Sequence, residues 1–283
     1  MRQRTLINLA LLLVVAGLAL LIAFAPDEEA PPALEPLSGE NPRAVTRIRL
    51  KPAAGTSIEL RRVDGAWHLV DPMRIAANDF RIKALVQVLK TPVHARIDAA
   101  PEQLARFGLA PPQARILLDD KEILFGDTEP IHGRRYLLYD GKVALVDDAF
   151  FSHVRSSAAN YVNPALLGRD PNLQSFILPG IRVYRDAGNW RLDSDDGNVD
   201  ADSISMLVDA WRHAQATAVR PYEQSLDWKD VIRIELADGD LRFNLAHTEY
   251  ELILGRPELG IQYHMTKGAG ARLLGFTPPD KSG

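Results

Sequence analysis

A short pattern that occurs twice constrains this chain more than anything else in it. Asp64-Gly65-Ala66-Trp67-His68-Leu69 returns as Ala187-Gly188-Asn189-Trp190-Arg191-Leu192. The strand-like run before it returns as well, Ile58-Glu59-Leu60-Arg61-Arg62 against Ile181-Arg182-Val183-Tyr184-Arg185. Self-similarity of this kind is the mark of one supersecondary unit built more than once. After each tryptophan run, apolar residues recur at i, i+3, i+4 and i+7. They are Ile82, Leu85, Val86 and Leu89 in the first copy and Ile204, Leu207, Val208 and Trp211 in the second. That spacing is the stripe of an amphipathic helix. Asn78 or Asp79, and Asp202 or Ser203, stand where N-caps belong.

Each copy continues into alternating runs that read as strands. They cover residues 114–118, 122–125, 135–139 and 143–146 in the first copy, and 231–236, 241–245, 251–254 and 262–265 in the second. Asp119-Asp120, Asp140-Gly141 and Asp238-Gly239 supply the turns between them. Phe125-Gly126 and Leu254-Gly255 close strands that look comparable, and Tyr136 and Tyr263 fall in comparable places. The expected fold is α+β: two tandem related units, residues 45–155 and 166–276, each of mostly antiparallel strands with one main amphipathic helix. Half-buried antiparallel strands fit the alternation. Trp67, Trp190, Leu85, Leu207 and Trp211 are the expected core anchors between strand and helix.

The N-terminus imposes a different constraint. Residues 6–25, opening on Leu6 and closing on Ala25, are almost wholly apolar, with Asn8 near one end. A helix of that length matches a hydrocarbon core of ~30 Å. Arg2 and Arg4 precede it, and Asp27, Glu28 and Glu29 follow it. The positive-inside rule then leaves the N-terminus in the cytoplasm and residues 26–283 outside, in a bacterial periplasm. A cleaved signal peptide is the rival, because Ala23-Phe24-Ala25 resembles a cleavage site. Pro26 just past the cut and the length of the apolar run favour an uncleaved anchor of residues 1–25. Residues 26–44 are rich in proline and acids and read as an extended tether. Residues 277–283 read as a flexible tail.

Composition narrows the function classes. The formal net charge of −4 includes Arg2 and Arg4 but no acid in the first 25 residues, so the remainder carries −6. A body with that balance does not attract phosphate backbones, and no nucleic-acid partner is expected. The chain has no cysteine, which excludes a disulfide framework, a thiolate metal site, a cysteine nucleophile and N-terminal lipidation on cysteine.

At this point the residues resemble a known family. Residues 45–50, then Gly65-Ala66-Trp67-His68-Leu69, then Ala77-Asn78-Asp79, then Phe107-Gly108-Leu109-Ala110-Pro111 look like the ordered series of the family called domain of unknown function 4340. Gly65, Trp67, Phe107, Gly108, Leu109 and Pro111 carry the resemblance. In the second copy, residues 222–228 stand where the Phe-Gly-Leu piece would be. The resemblance implies an anchored envelope protein. Such proteins are similar to, or encoded with, auxiliary components of gliding-motility-type ABC transporters. It implies an inner-membrane ABC permease and its auxiliary subunits as partners, with the bilayer held through residues 6–25. It supplies no catalytic residues.

The usual catalytic constellations are absent from the sequence: no G-x-S-x-G elbow, no P-loop, no H-E-x-x-H. The histidines, His68, His94, His132, His153, His213, His247 and His264, show no metal-ligand spacing. No cofactor and no metal is expected. His132-Gly133-Arg134-Arg135 reads as a solvated hairpin loop, with a basic contact patch as the alternative. The acid-rich run 193–202 reads as a polar turn into a helix N-terminus rather than a calcium loop. The expected function is a non-catalytic, membrane-anchored periplasmic accessory or scaffold subunit of an ABC-type complex. The alternative is a binding module for a small or lipidic ligand between the two units.

Overall fold

The protein is described by a computed structural model covering residues 7, 9–17, 33–194 and 199–275. The chain separates into residues 1–35 and a body of residues 36–283. Of the expected spanning segment, residues 9–17 are helical. Successive residues Leu11, Leu12, Leu13 and Val14 are all more than half exposed. Apart from Ile7, the rest of that segment, and the tail 277–283, lie outside the described residues. Among the described residues no helix is long and apolar enough to cross a membrane.

The body is α+β with two antiparallel sheets. The first contains β1 (Arg47–Pro52), β2 (Ile58–Val63), β3 (Ala66–Asp71), β4 (Ile75–Ala76), β5 (Val93–Ile97), β6 (Ala114–Leu118), β7 (Lys121–Thr128), β8 (Arg135–Tyr139) and β9 (Lys142–Val146). The second contains β10 (Leu173–Leu178), β11 (Ile181–Asp186), β12 (Asn189–Ser194), β13 (Ala218–Pro221), β14 (Asp230–Leu236), β15 (Gly239–His247), β16 (Glu251–Arg256) and β17 (Ile261–Thr266). With β4 set aside, the strand orders correspond: β3-β2-β1-β6-β7-β8-β9-β5 and β12-β11-β10-β14-β15-β16-β17-β13. The repeated tryptophan pattern is the last hairpin of each sheet. Its turns, Asp64-Gly65 and Ala187-Gly188, take positive φ at both central residues. That is the geometry that matches the strand twist of a two-residue hairpin.

One helix crosses each sheet, Asp79–Val86 in the first half and Ala201–Arg212 in the second. In the second, Ile204, Leu207, Val208 and Trp211 are all buried. The first helix is shorter than its apolar stripe, and Leu89 sits on the 3-10 turn Gln87–Lys90 that continues it. Asn78 is the first N-cap, accepting from the backbone N–H groups of Phe80 and Arg81. The second cap is Asp200, not Asp202 or Ser203, because its carboxylate reaches the Ser203 N–H at 2.7 Å and starts the helix earlier. Both helices and both sheets contribute to one continuous apolar core. Trp211 is fully buried, and its Nε1–H donates to the Leu273 carbonyl at 2.9 Å. Leu85, Leu207 and Trp67 are buried beside it in that core, whereas Trp190 is half-buried against Phe176.

Three further expectations need correction. The proline-rich stretch 26–44 is not tether throughout. Leu37 and Ser38 are buried, and their N–H groups donate to the Thr91 and Leu89 carbonyls, because Leu37 finds an apolar seat beside the first-half helix turn. Gly126 and Gly255 do not end equivalent strands. Gly126 lies on β7, whose counterpart is β15, while Gly255 lies on β16. Tyr136 on β8 and Tyr263 on β17 are displaced by one strand in the same way, since local sequence similarity does not encode which neighbour a strand pairs with. Arg135, finally, is not part of a solvated loop. It is buried, with its guanidinium bidentate to Asp148 at 2.7 and 2.8 Å and stacked 3.6 Å from the Phe151 ring centroid.

Candidate functional site

The Phe-Gly-Leu piece begins as a 3-10 segment, Pro101–Phe107, and is turned by Gly108 in the left-handed region at φ 65°. A Cβ at Gly108 would also lie 2.4 Å from the Asp127 carboxyl carbon, so that side chain would have to move aside. The turn lays Phe107 edge-on against Tyr136, with ring centroids 4.9 Å apart, and buries Leu109. Beneath it, Gly126 leaves room for the crossing backbone, since a Cβ there would sit 2.1 Å from the Phe107 carbonyl oxygen. Arg135 donates to the Gly126 carbonyl and so fixes the strand under the crossing. Gln113 closes the segment by donating to the Asp127 carboxylate. Pro111 lies between, where the bridge Leu109 to Pro112 holds the chain against its own turn.

The second half achieves the same cover with different residues. Tyr222 and Trp228 stack at 4.8 Å with an interplanar angle of 8°. Both rings lie where a Cβ on Gly255 would meet them at 2.6 Å. Asn244 Nδ2 donates to the Tyr222 hydroxyl, and the Trp228 indole N–H donates to the Glu223 carbonyl. Next to this stack is a buried polar chain. The Glu223 N–H donates to Gln262 Oε1, which turns the Gln262 amide N–H group toward His264 Nε2 at 3.0 Å. His264 therefore accepts at Nε2 and carries its proton on Nδ1, donating to Glu251 at 2.8 Å. The Gln262 amide and both His264 ring nitrogens have partners, so the chain organises β16 and β17 rather than presenting a free base.

The two halves are joined by the segment that follows the 3-10 turn Ala158–Tyr161. On one side the Asn78 N–H donates to the Tyr161 carbonyl and the Asn163 N–H to the Ala76 carbonyl. On the other, the Leu166 N–H donates to Ala214 and the Ala216 N–H to Pro164. Beside this clamp lies a cleft of about 460 Å³ lined by Trp67, His68, Asn78, Phe80, Asn163 and Arg169. Phe80 is exposed in it, and Arg169 reaches Asp79 at 3.7 Å. The His68 Nδ1 atom is buried with no hydrogen-bond partner among the described residues.

Charged groups elsewhere are held by ordinary partners. Hydrogen bonding from Arg47 holds the Glu59 carboxyl below the usual range against the opposing effect of burial, with Arg61 adding to it. At the β7–β8 turn, burial pushes Glu129 up, but the backbone N–H groups of Ile131 and His132 outweigh it and leave the carboxyl low. Among the described residues, no group of three or more histidine, aspartate or glutamate side chains could hold a metal ion.

The sequence pattern singles out the glycines, Trp67 and Tyr136 but not the contacts that bring them together. Arg135, Tyr136 and Asp127 come to the first crossing through strand pairing, and Gln262 and His264 come to the second in the same way. The run of aromatics at 222–228 was the one visible sign. Comparison with curated proteins and with solved structures returns no significant match. The profile of one family, described as a domain of unknown function (DUF4340), matches residues 67–266, from the first tryptophan to the end of β17. That span takes in both crossings and the clamp between the halves, and the chain belongs to the DUF4340 family.

Proposed function

We propose that this protein is a non-catalytic accessory subunit of an ABC-type transport complex, anchored in a bacterial inner membrane with its body in the periplasm. The observation that carries the reading is the apolar segment 6–25 with Arg2 and Arg4 before it and acids after it. The exposed apolar side chains around helical residues 9–17 support it, because a helix apolar on every side calls for lipid or another protein around it. The ABC context comes from the kind of protein this family resembles in its residue series, not from the body's geometry. The reading is tested by extracting the full chain from native membranes in mild detergent at native expression. Co-purification of a permease and its ATPase in fixed stoichiometry is expected, and recovery of the protein alone overturns it.

A second reading rests on the junction cleft. Its aromatic wall and its amide and guanidinium groups suit a small ligand with both apolar and acceptor groups. Native mass spectrometry of the purified chain is the check: a bound mass lost in Trp67→Ala supports it, and an empty protein counts against it.

A further inference from the structure

Antiparallel sheets expose unpaired backbone at their edges, and proteins usually block those edges. Here three of four are blocked. At the β4 edge, only two residues long, the bridge from Ala77 to Val162 continues the pairing into the clamp segment. At β5, a register shift between Val93 and Ala95 distorts the edge, and Pro92 just before it is bridged by Pro36. The β13 edge ends in Pro221, and the neighbouring bridge from Ala165 to Gln215 covers its approach. The fourth, β12, is six residues long and pairs only with β11 among the described residues. Its counterpart β3 has a neighbour on that side: the Trp67 carbonyl accepts from Ala77 N–H at 2.9 Å, and among the described residues the second half has no equivalent of β4.

The register of the β11–β12 hairpin states which groups are free. Asp186 and Asn189 flank a two-residue turn, so they form a hydrogen-bonded pair, and bonding then alternates along the strand. Asn189, Arg191 and Asp193 bond inward to β11. Trp190, Leu192 and Ser194 direct their backbone groups outward.

We infer that β12 pairs with β12 of a second copy of this chain, antiparallel, about a two-fold axis at Leu192. Among face-matched registers, those centred on Arg191 and Leu192 overlap five residues of the strand, and those centred on Trp190 or Asp193 overlap only three. Centring on Arg191 sets Arg191 against its own copy, and centring on Asp193 sets two aspartates together. Like charges directly opposite are destabilising. Centring on Leu192 sets Arg191 opposite Asp193 twice, Leu192 opposite Leu192, and Trp190 opposite Ser194. It also makes the outward backbone groups of Leu192 a hydrogen-bonded pair, as their orientation requires. Arg191 has only an exposed contact with Asp186 at 3.7 Å to give up. The two sheets then continue across the axis, and the half-buried Trp190 lies beside the new seam.

The test is the mass of the full-length protein in mild detergent. A dimer is expected. Arg191→Asp alone and Asp193→Arg alone each place like charges opposite one another and weaken the dimer about tenfold. The double variant restores it, because the pair is exchanged rather than lost. As a second readout, the chain has no cysteine, so Leu192→Cys can cross-link only to another copy; paired Cα atoms ~5.5 Å apart are within disulfide reach. A Leu192→Cys dimer on oxidation, with none from Tyr250→Cys on an exposed turn, supports the pairing. A monomer overturns the inference, and so does a dimer that ignores both charge reversals.

Discussion

At the level of single residues, the glycines separate into two kinds. Gly126 has an ordinary φ but faces the Phe107 carbonyl, whereas Gly188 has φ 89° and open space around it. Gly126→Ala forces the crossing segment off its strand and should cost about 3 kcal/mol, as overpacking does. Gly188→Ala strains only its own turn, at about 1 kcal/mol. Urea midpoints of the two variants decide the order, and equal losses would show that the crossing yields freely. Two buried phenols set the behaviour in alkali. Burial pushes Tyr263 up to about 12 and Tyr161 further still. In the unfolded chain a tyrosine ionises near pH ~10. Folding therefore keeps protons that the unfolded chain has lost. Stability is whole below pH ~10 and falls as pH rises toward ~12. The slope of urea midpoint against pH over that window should shrink in Tyr263→Phe, and an unchanged slope would assign the alkaline loss to other groups.

Individual elements show what a sequence can reveal. Strands joined by short turns, Asp140-Gly141 between β8 and β9 and Ala237-Asp238 between β14 and β15, are legible because alternation and turn chemistry are both local. The helix stripes were legible for the same reason. β5 and β13 were not, although each completes its sheet. Val93-His94-Ala95-Arg96-Ile97 alternates over only five residues, and no turn signal links it to its partner β9, which lies far along the chain. β10 was missed because its apolar residues run together across a register shift near Leu173. The candidate site divides likewise: glycines and tryptophans announce themselves by pattern, while Arg135 and His264 acquire partners only through pairing. The caps make a comparison between the two helices. Asn78→Ala and Asp200→Ala each remove the acceptor for first-turn N–H groups and should cost about 1 kcal/mol. Thermal melts by circular dichroism test this; the Asp200 loss should shrink at low pH as the carboxylate, held low by the Ser203 N–H, is protonated.

For the molecule as a whole, the repeated strand order coexists with a single core. The clamp hydrogen-bonds to both halves, and buried side chains connect across it without interruption. The body should therefore unfold in one transition, coincident by tryptophan fluorescence and far-ultraviolet circular dichroism. Two separated transitions would mean that each sheet stands alone. The way the chain enters the body has a mechanical side. Tension drawn through the N-terminal segment reaches the fold at Pro36 and falls first on the Leu37 and Ser38 backbone bonds to Thr91 and Leu89. Those few bonds give way before any strand of the nine-stranded sheet. Residues 36–44 then pay out roughly 30 Å of slack at ~3.5 Å per residue. The clip on the turn before β5 is thus a fuse, lengthening the leash while the folded body stays whole.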